Sequence, residues 1–122
     1  AVRLVTGRPP STNAASRRWL EEHGFPYESL SHPDTWSRPT WNHAGLPALR
    51  FEEIPEIGLA LAVEDRLETA VRVGEECGIP VALMDQPWNR NYVGVSAKAQ
   101  AGLIRCADWD AVARVSLEIL GA

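Results

Sequence analysis

Short apolar runs alternate along the chain with segments in which apolar residues recur at helical spacing. The runs that predict β-strands are residues 2–6, 25–30, 59–63, 79–84 and 103–106. Strands this apolar, separated by helices, favour a mainly parallel sheet with both faces covered. The pattern therefore predicts an α/β fold of the Rossmann-like kind, with a parallel sheet between two helical layers.

Three helical segments accompany these strands. The first, STNAASRRWLEEHG at residues 11–24, opens on residues that cap helices and ends at Gly24. The second, residues 67–77, is closed by Gly78, and the third is a C-terminal helix for which Asp108 is the predicted cap. These end signals place the helices more firmly than periodicity alone would.

Two long connections and one ambiguous segment remain. Residues 31–47 and 85–101 show little periodicity and are predicted to be loops. Residues 49–57 predict a short helix interrupted by Pro55. A long loop in a compact domain is usually either functional or poorly ordered, so residues 31–47 are a candidate substrate-side segment.

Length and composition fit one globular domain over residues 1–122. With 45% hydrophobic and 23% charged residues, 122 residues can build one core and are too few for two. The chain shows no signal peptide and no apolar run near 18 residues, so we expect a cytoplasmic protein without membrane association. The net charge of −4 offers polyanions no general attraction, so nonspecific nucleic-acid binding is not expected.

Polar residues follow two of the predicted strands, where parallel sheets usually bind ligands. Residues 2–6 lead into Thr6-Gly7-Arg8, and residues 59–63 lead into Glu64-Asp65. A hydroxyl with nearby backbone amides can hold a phosphate oxygen, and carboxylates are hard ligands suited to magnesium. If both strands run in the same direction, these groups meet at one edge of the sheet as a site for phosphate and metal.

The acidic pair also has a simpler interpretation. Glu64 and Asp65 precede a predicted helix, and acidic side chains near a helix N-terminus are favoured by the helix dipole. Spacing alone leaves both interpretations open.

Two long segments, in this order, resemble the later two-thirds of a haloacid dehalogenase superfamily hydrolase. They read LVTGRPPSTNAASRRWLEEHGFPYESL and LALAVEDRLETAVRVGEECGIPVALMDQPWNR, and they cover most of the chain. The nucleotidase-like and polynucleotide-phosphatase-like members are the most similar. The resemblance implies a magnesium-dependent phosphomonoester hydrolase that acts on a small phosphorylated compound, such as a nucleotide, through an aspartyl-phosphate intermediate.

The resemblance also implies roles for the two strand ends. Thr6 is implied to bind the transferring phosphoryl group, and Gly7 and Arg8 match the TGR form of the same motif. The pair Glu64 and Asp65 is implied to hold magnesium, with Asp65 as the expected ligand.

A third region of the resemblance concerns the substrate. The segment GIPVALMDQPWNR resembles the strand and substrate-side loop of nucleotidase-like members. Asp85, Trp88, Asn89 and Arg90 are therefore expected to line the site, with Trp88 as the candidate for stacking on substrate.

The chain departs from the family pattern in two places. No lysine lies between Thr6 and Glu64, so Arg50, or its rival Arg38, is expected to take the place of the usual lysine. The family's nucleophile is an Asp in a DxD motif on a central strand before the Thr motif, and residues 1–122 hold no such segment. The DxD at residues 108–110 opens a helix, which is the wrong context.

The missing DxD segment and the missing lysine lead to one expectation about the sheet and one alternative function. The central first strand of the sheet is expected to come from an N-terminal segment or a partner chain, because without it two strand edges lie exposed. The alternative is a degenerate domain of the same fold that binds a phosphorylated ligand or a protein without hydrolysing it.

Overall fold

The computed structural model of the chain describes residues 1–34 and 49–121. It shows an α/β arrangement in which all of the paired strands found there are parallel, compatible with a Rossmann-like fold. The chain divides into two compact units, Ala1–Ile54 and Pro55–Ala122, which are described separately below. The expectation of one domain stays a prediction.

The first unit contains a β–α–β unit followed by a second, very short strand pair. Its elements are β1 (Arg3–Val5), a 3-10 turn (Pro10–Thr12), α1 (Asn13–Glu22), β2 (Ser29–Ser31), β3 (Pro33–Asp34) and β4 (Leu49–Arg50). β1 pairs in parallel with β2, with Leu4 opposite Leu30, and β3 pairs in parallel with β4. A 3-10 helix, Phe51–Ile57, then runs across the boundary between the two units.

The second unit is a three-stranded parallel sheet with connecting helices. Its elements are β5 (Ala62–Glu64), α2 (Leu67–Cys77), β6 (Val81–Met84), a 3-10 turn (Pro87–Asn89), α3 (Ala97–Ala101), β7 (Leu103–Cys106) and α4 (Trp109–Leu120). β6 lies between β5 and β7. The carboxyl ends of all three strands therefore lie at one edge of this sheet.

The core of the second unit lies around β6. Val81, Ala82 and Leu83 are fully buried, and successive residues of a strand point to opposite faces, so both faces of β6 are covered. Ala82 packs in one cluster with Cys106 of β7 and Val112 of α4. This two-sided burial explains the unbroken apolar run that predicted the strand.

Several boundaries agree with the sequence predictions because a local signal sets them. The predicted helix and strand at Leu67–Cys77 and Leu103–Cys106 are confirmed. Gly78 ends α2 with φ 64°, a backbone conformation that glycine adopts at little cost. The predicted cap is also confirmed, since Asp108 Oδ1 accepts a hydrogen bond from Ala111 N at 2.8 Å.

Other boundaries differ for identifiable reasons. Phe25 was expected to begin a strand, but Phe25 N donates to Leu20 O and Gly24 N to Glu21 O, so the residue closes α1 in a Schellman motif. β5 extends to Glu64, one residue beyond the predicted end. The predicted strand at residues 2–6 is shortened by one residue at each end, and the predicted strands at 59–63 and 79–84 are shortened at their start.

The two predicted loops and the ambiguous segment contain regular structure. Residues 85–101, expected to be a loop, include α3, which Ser96 caps by accepting from Ala99 N at 3.1 Å. Residues 49–57 form β4 and a 3-10 helix that contains Pro55, in place of the single short helix expected. In the segment 31–47, residues 35–47 lie outside the described residues. Among the helices described, none combines the length and the apolar character needed to cross a membrane.

Candidate functional site

The Thr6-Gly7-Arg8 segment follows β1 and forms a turn that the Thr6 side chain stabilises. Thr6 N donates to Ser31 O at 3.0 Å, which extends the pairing of β1 with β2 by one residue. Thr6 Oγ1 accepts from Arg8 N at 3.2 Å, the short-range bond of a Ser/Thr turn. Thr6 is half-buried and lies at the carboxyl end of β1, and none of its hydrogen bonds to residues 1–34 or 49–121 uses the hydroxyl proton.

A buried histidine holds this turn against the start of α1. His32 is only 5% exposed, and its Nδ1 lies 3.0 Å from Arg8 O while its Nε2 lies 3.0 Å from Asn13 Nδ2. A carbonyl can only accept, so Nδ1 carries the proton and Nε2 accepts from the amide. Arg17 Nε donates to Asn13 Oδ1 at 2.9 Å and orients that amide.

The two candidate replacements for the usual lysine have different positions. Arg50 lies in β4, and its side chain is 71% exposed. Its Nε donates to Glu53 Oε1 at 3.1 Å, and this bond lowers the pKa of Glu53 below its ordinary value. Arg38 lies outside the described residues.

Glu64 uses one carboxylate oxygen to shape the turn between β5 and α2. Its Oε1 accepts from Asp65 N at 2.9 Å and from Arg66 N at 3.0 Å. Burial raises the pKa of the Glu64 carboxyl above its ordinary value, and the adjacent Asp65 carboxyl raises it further. The two N–H groups act in the opposite direction. Both N–H groups precede α2, which begins at Leu67, so this oxygen of Glu64 stabilises the turn before the helix and does not cap the helix itself.

Asp65 is exposed, and side chains from the turn after β6 hold its backbone. Asp65 O accepts from Asn89 Nδ2 at 2.7 Å and from Trp88 Nε1 at 3.1 Å. Asn89 is fully buried, whereas the Trp88 residue is 65% exposed. The 3-10 turn Pro87–Asn89 therefore fixes the backbone of Asp65 and leaves an indole exposed beside it.

A charged cluster lies next to this turn, at the ends of β6 and β7. Asp85 accepts from Arg90 through both carboxylate oxygens, at 3.2 and 2.9 Å, and from Arg105 Nη1 at 2.7 Å. The hydrogen bond from Arg90 lowers the pKa of Asp85 below its ordinary value, and Arg105 lowers it further. Arg105 also donates to the side chain and the backbone carbonyl of Asn89, and its guanidinium lies 5.1 Å from the Tyr92 ring centroid.

Each unit thus holds a part of the predicted site. Glu64, Asp65, Trp88, Asn89 and Arg90 come together at the carboxyl edge of the three-stranded sheet. The residues predicted in the first unit are Thr6, Gly7, Arg8 and Arg50. That the two groups serve one site stays a prediction.

The residues present are compatible with magnesium at Asp65 and Glu64. Across residues 1–34 and 49–121, no three His, Cys, Asp or Glu side chains form a cluster able to hold a metal ion by themselves. Magnesium, however, commonly takes one or two carboxylates and completes its octahedron with water and substrate phosphate. Two adjacent carboxyls at a strand end, Glu64 and Asp65, fit that pattern.

Sequence reasoning assigned no role to Arg105 or His32, although both make polar contacts that hold candidate residues. Arg105 is the one charged residue in the strand LIRC, and a charge in an otherwise apolar strand is a signal that could have singled it out. His32 offered no such signal, because its partners Arg8 and Asn13 are distant in sequence.

Comparison with known proteins gives one informative similarity. Over 86 residues the chain is 28% identical to a protein of Halalkalibacterium halodurans named "Putative nucleotidase BH1399". The match covers 70% of this chain and spans 38% of the length of that relative. No protein-family model and no solved structure matches the chain. The similarity is consistent with a phosphatase-like family.

We predict that Glu64→Gln stabilises the metal-free protein at pH 7. Glutamine keeps an oxygen for the N–H groups of Asp65 and Arg66 but removes the buried charge. Because the folded-state pKa of Glu64 is raised, its ionisation costs stability above the ordinary pKa of glutamate and costs nothing below it. The melting temperature should rise by roughly 2–4 °C at pH 7, and the gain should vanish as the pH falls below about 4.

Scanning calorimetry at the two pH values measures this effect. Glu68→Gln, an exposed glutamate in the first turn of α2, is the matched control and should show no such gain. A lower melting temperature for Glu64→Gln at pH 7 would mean that the charged oxygen stabilises the turn more than its burial costs.

Proposed function

We propose that the protein is a magnesium-dependent phosphomonoester hydrolase of the haloacid dehalogenase type, acting on a nucleotide or another small phosphorylated compound. The observation that carries the proposal is Asp65, an exposed carboxylate at the carboxyl end of a parallel strand, whose backbone two side chains hold in place. The similarity to a protein named as a nucleotidase supports the same reaction class.

In the proposed reaction, an aspartate outside residues 1–122 attacks the phosphorus, and water then hydrolyses the aspartyl phosphate. The Thr6 hydroxyl donates to a phosphoryl oxygen, since its acceptor side already faces Arg8 N. The Gly7 amide lies in the same turn, whereas the Arg8 amide is bound to Thr6 Oγ1. Arg50 balances developing negative charge.

Asp65, with the second oxygen of Glu64, would hold magnesium. When bound, the ion supplies charge stabilisation to the phosphoryl oxygens. The chain's own contribution is the fixed turn after β5, which keeps two carboxyls adjacent despite their repulsion.

The proposal includes a further strand that completes the sheet as a three-layer α/β/α sandwich. Among the described strands, β1 pairs only with β2 and β5 only with β6, so each is an edge strand. Val5 and Val63 lie on these edges as exposed apolar residues, and edges of this kind are usually covered. The covering strand, from an N-terminal segment or a partner chain, would carry the nucleophile.

Trp88 favours a substrate with an aromatic base. Its indole N–H is bound to Asp65 O, which fixes the ring, while the residue stays 65% exposed. A fixed, exposed indole beside a phosphate site can stack on a nucleobase, a contact worth about 1–3 kcal/mol per base.

The first test is Asp65→Asn in the full-length protein. We expect phosphatase activity with magnesium to fall at least about 100-fold, because loss of a ligand exceeds the 10–100-fold effect usual for outer-shell partners of a metal. A panel of phosphate esters, assayed with and without magnesium, measures this loss.

Asp110→Asn is the control for this test, since Asp110 is an exposed acid on α4. Undiminished turnover in Asp65→Asn would refute the assignment. Binding of phosphorylated compounds by the unmodified protein without turnover would favour the degenerate binding domain.

A second test addresses the covering strand. We expect residues 1–122 alone to unfold without a cooperative transition or to self-associate, and a version that carries the proposed strand to be monomeric and cooperative. Calorimetry with analytical ultracentrifugation compares the two. A cooperative, monomeric transition for residues 1–122 alone would contradict the proposed strand.

A third test separates base recognition from phosphate recognition. Trp88→Ala should raise KM for nucleotides by about 5–100-fold, the equivalent of one lost stacking contact. At saturating magnesium, KM for a phosphate ester without an aromatic group should change little, and Trp88→Phe should recover part of the loss. Trp109→Ala removes another exposed indole and serves as the control. Equal increases for both substrate types would count against stacking.

A further inference from the structure

Two polar side chains are buried among the described residues, His32 and Asn89. Burying a polar group costs free energy unless its hydrogen bonds are replaced, so both must be satisfied within the protein. Each binds a backbone carbonyl in the turn that carries a predicted motif: His32 contacts Arg8 O, and Asn89 contacts Asp65 O. The polar contacts of Asn89 are the more extensive.

Asn89 uses all four hydrogen-bonding positions of its amide. Nδ2 donates to Asp65 O and to Met84 O, both at 2.7 Å. Oδ1 accepts from Gln86 N at 3.1 Å and from Arg105 Nη1 at 2.9 Å. Both partners of Oδ1 can only donate and both partners of Nδ2 can only accept, so the amide has one favourable orientation.

These bonds restrain the backbone on both sides of Asp65. The N–H of Asp65 is held by Glu64 Oε1, and its carbonyl is held by Asn89 and Trp88. With both peptide groups held, φ and ψ of Asp65 are fixed, and so is the direction of its Cα–Cβ bond. The carboxylate then moves only by rotation about its side-chain bonds.

Arg105 supports this arrangement from β7. Its Nη1 donates to Asn89 Oδ1, and its Nη2 donates to Asn89 O at 2.8 Å. Asp85 holds the same guanidinium through a 2.7 Å bond. A chain of polar contacts thus runs from the ion pair at the strand ends to the backbone of Asp65.

We propose that Asn89 is a positioning residue that holds the Asp65 carboxylate in the direction required for cation binding, with Arg105 fixing the orientation of its amide. Asn89 itself is buried and fully bonded, so in this role it touches neither metal nor substrate. The cation-binding part of the proposal rests on the function proposed above, whereas the restraint on the Asp65 backbone does not.

The decisive variant is Asn89→Asp in the full-length protein. Aspartate has nearly the same shape and keeps an acceptor for Gln86 N and Arg105. It replaces the donating Nδ2 with an oxygen that faces the carbonyl oxygens of Asp65 and Met84, so both donated bonds are lost. Amide hydrogen exchange at Asp65 and Arg66 should accelerate by at least about tenfold, and the magnesium concentration for half-maximal activity should rise about 10–100-fold. At saturating magnesium, kcat should change far less.

Asp108→Ala is the matched control, because it removes the cap of α4 in the same unit without contacting Asn89. It should lower the melting temperature yet leave both the exchange at Asp65 and the magnesium requirement unchanged.

Three results separate failure of this inference from failure of the proposed function. Unchanged exchange at Asp65 and Arg66 in Asn89→Asp overturns the positioning role. Faster exchange in Asn89→Asp with no change in the magnesium concentration for half-maximal activity overturns the claim that this restraint assists cation binding. If the unmodified protein has no magnesium-dependent activity, the proposed function fails, and hydrogen exchange alone still decides whether Asn89 restrains Asp65.

Discussion

The turns at the carboxyl edge of the three-stranded sheet depend on the burial of one amide. Asn89 is fully buried and connects Asp65 after β5, Met84 at the end of β6 and Arg105 in β7, so a single side chain joins the ends of all three strands. An amide left unbonded in such a place would cost about 1–3 kcal/mol per unsatisfied group. The free energy of burial therefore selects the one backbone arrangement in which all four bonds form.

The apolar core and this polar edge are complementary. Below the strand ends, Val81, Ala82 and Leu83 are packed on both faces and hold β6 rigidly. Regular strand pairing stops at the strand ends. There, Asn89 and Trp88 donate hydrogen bonds to the backbone of the turn and Glu64 accepts hydrogen bonds from it, so the order continues into the turns. Asp65 and Trp88, the exposed residues at this edge, are therefore attached to a backbone that both packing and hydrogen bonds restrain.

Sequence reasoning predicted the features that depend on local signals. The αL glycine at 78 and the cap at Asp108 set helix ends correctly because each acts within one turn of its own helix. The role of Phe25 was misjudged because hydrophobicity cannot distinguish the end of a helix from the start of a strand. The short helix α3 lacks the length at which periodicity becomes visible.

In the candidate site too, the positions that depend on local signals could be predicted, and the long-range contacts could not. Strand-end positions followed from the order of apolar runs, so Thr6 and Asp65 could be singled out in advance. The contacts of His32 and Arg105 could not, because they join residues 24 and 16 positions apart whose proximity arises only in the folded chain.

The hydrogen bonds of Glu64 bear on which ion the proposed site would accept. One of its oxygens is held by two backbone N–H groups, so only the other can turn toward a neighbour. Chelation through both oxygens, which calcium sites often use, is thereby closed to this side chain. In the proposed magnesium site Glu64 would therefore contribute a single oxygen, the contact that a small octahedral ion accepts, and the bend after β5 would favour such an ion over larger, more loosely coordinated ones.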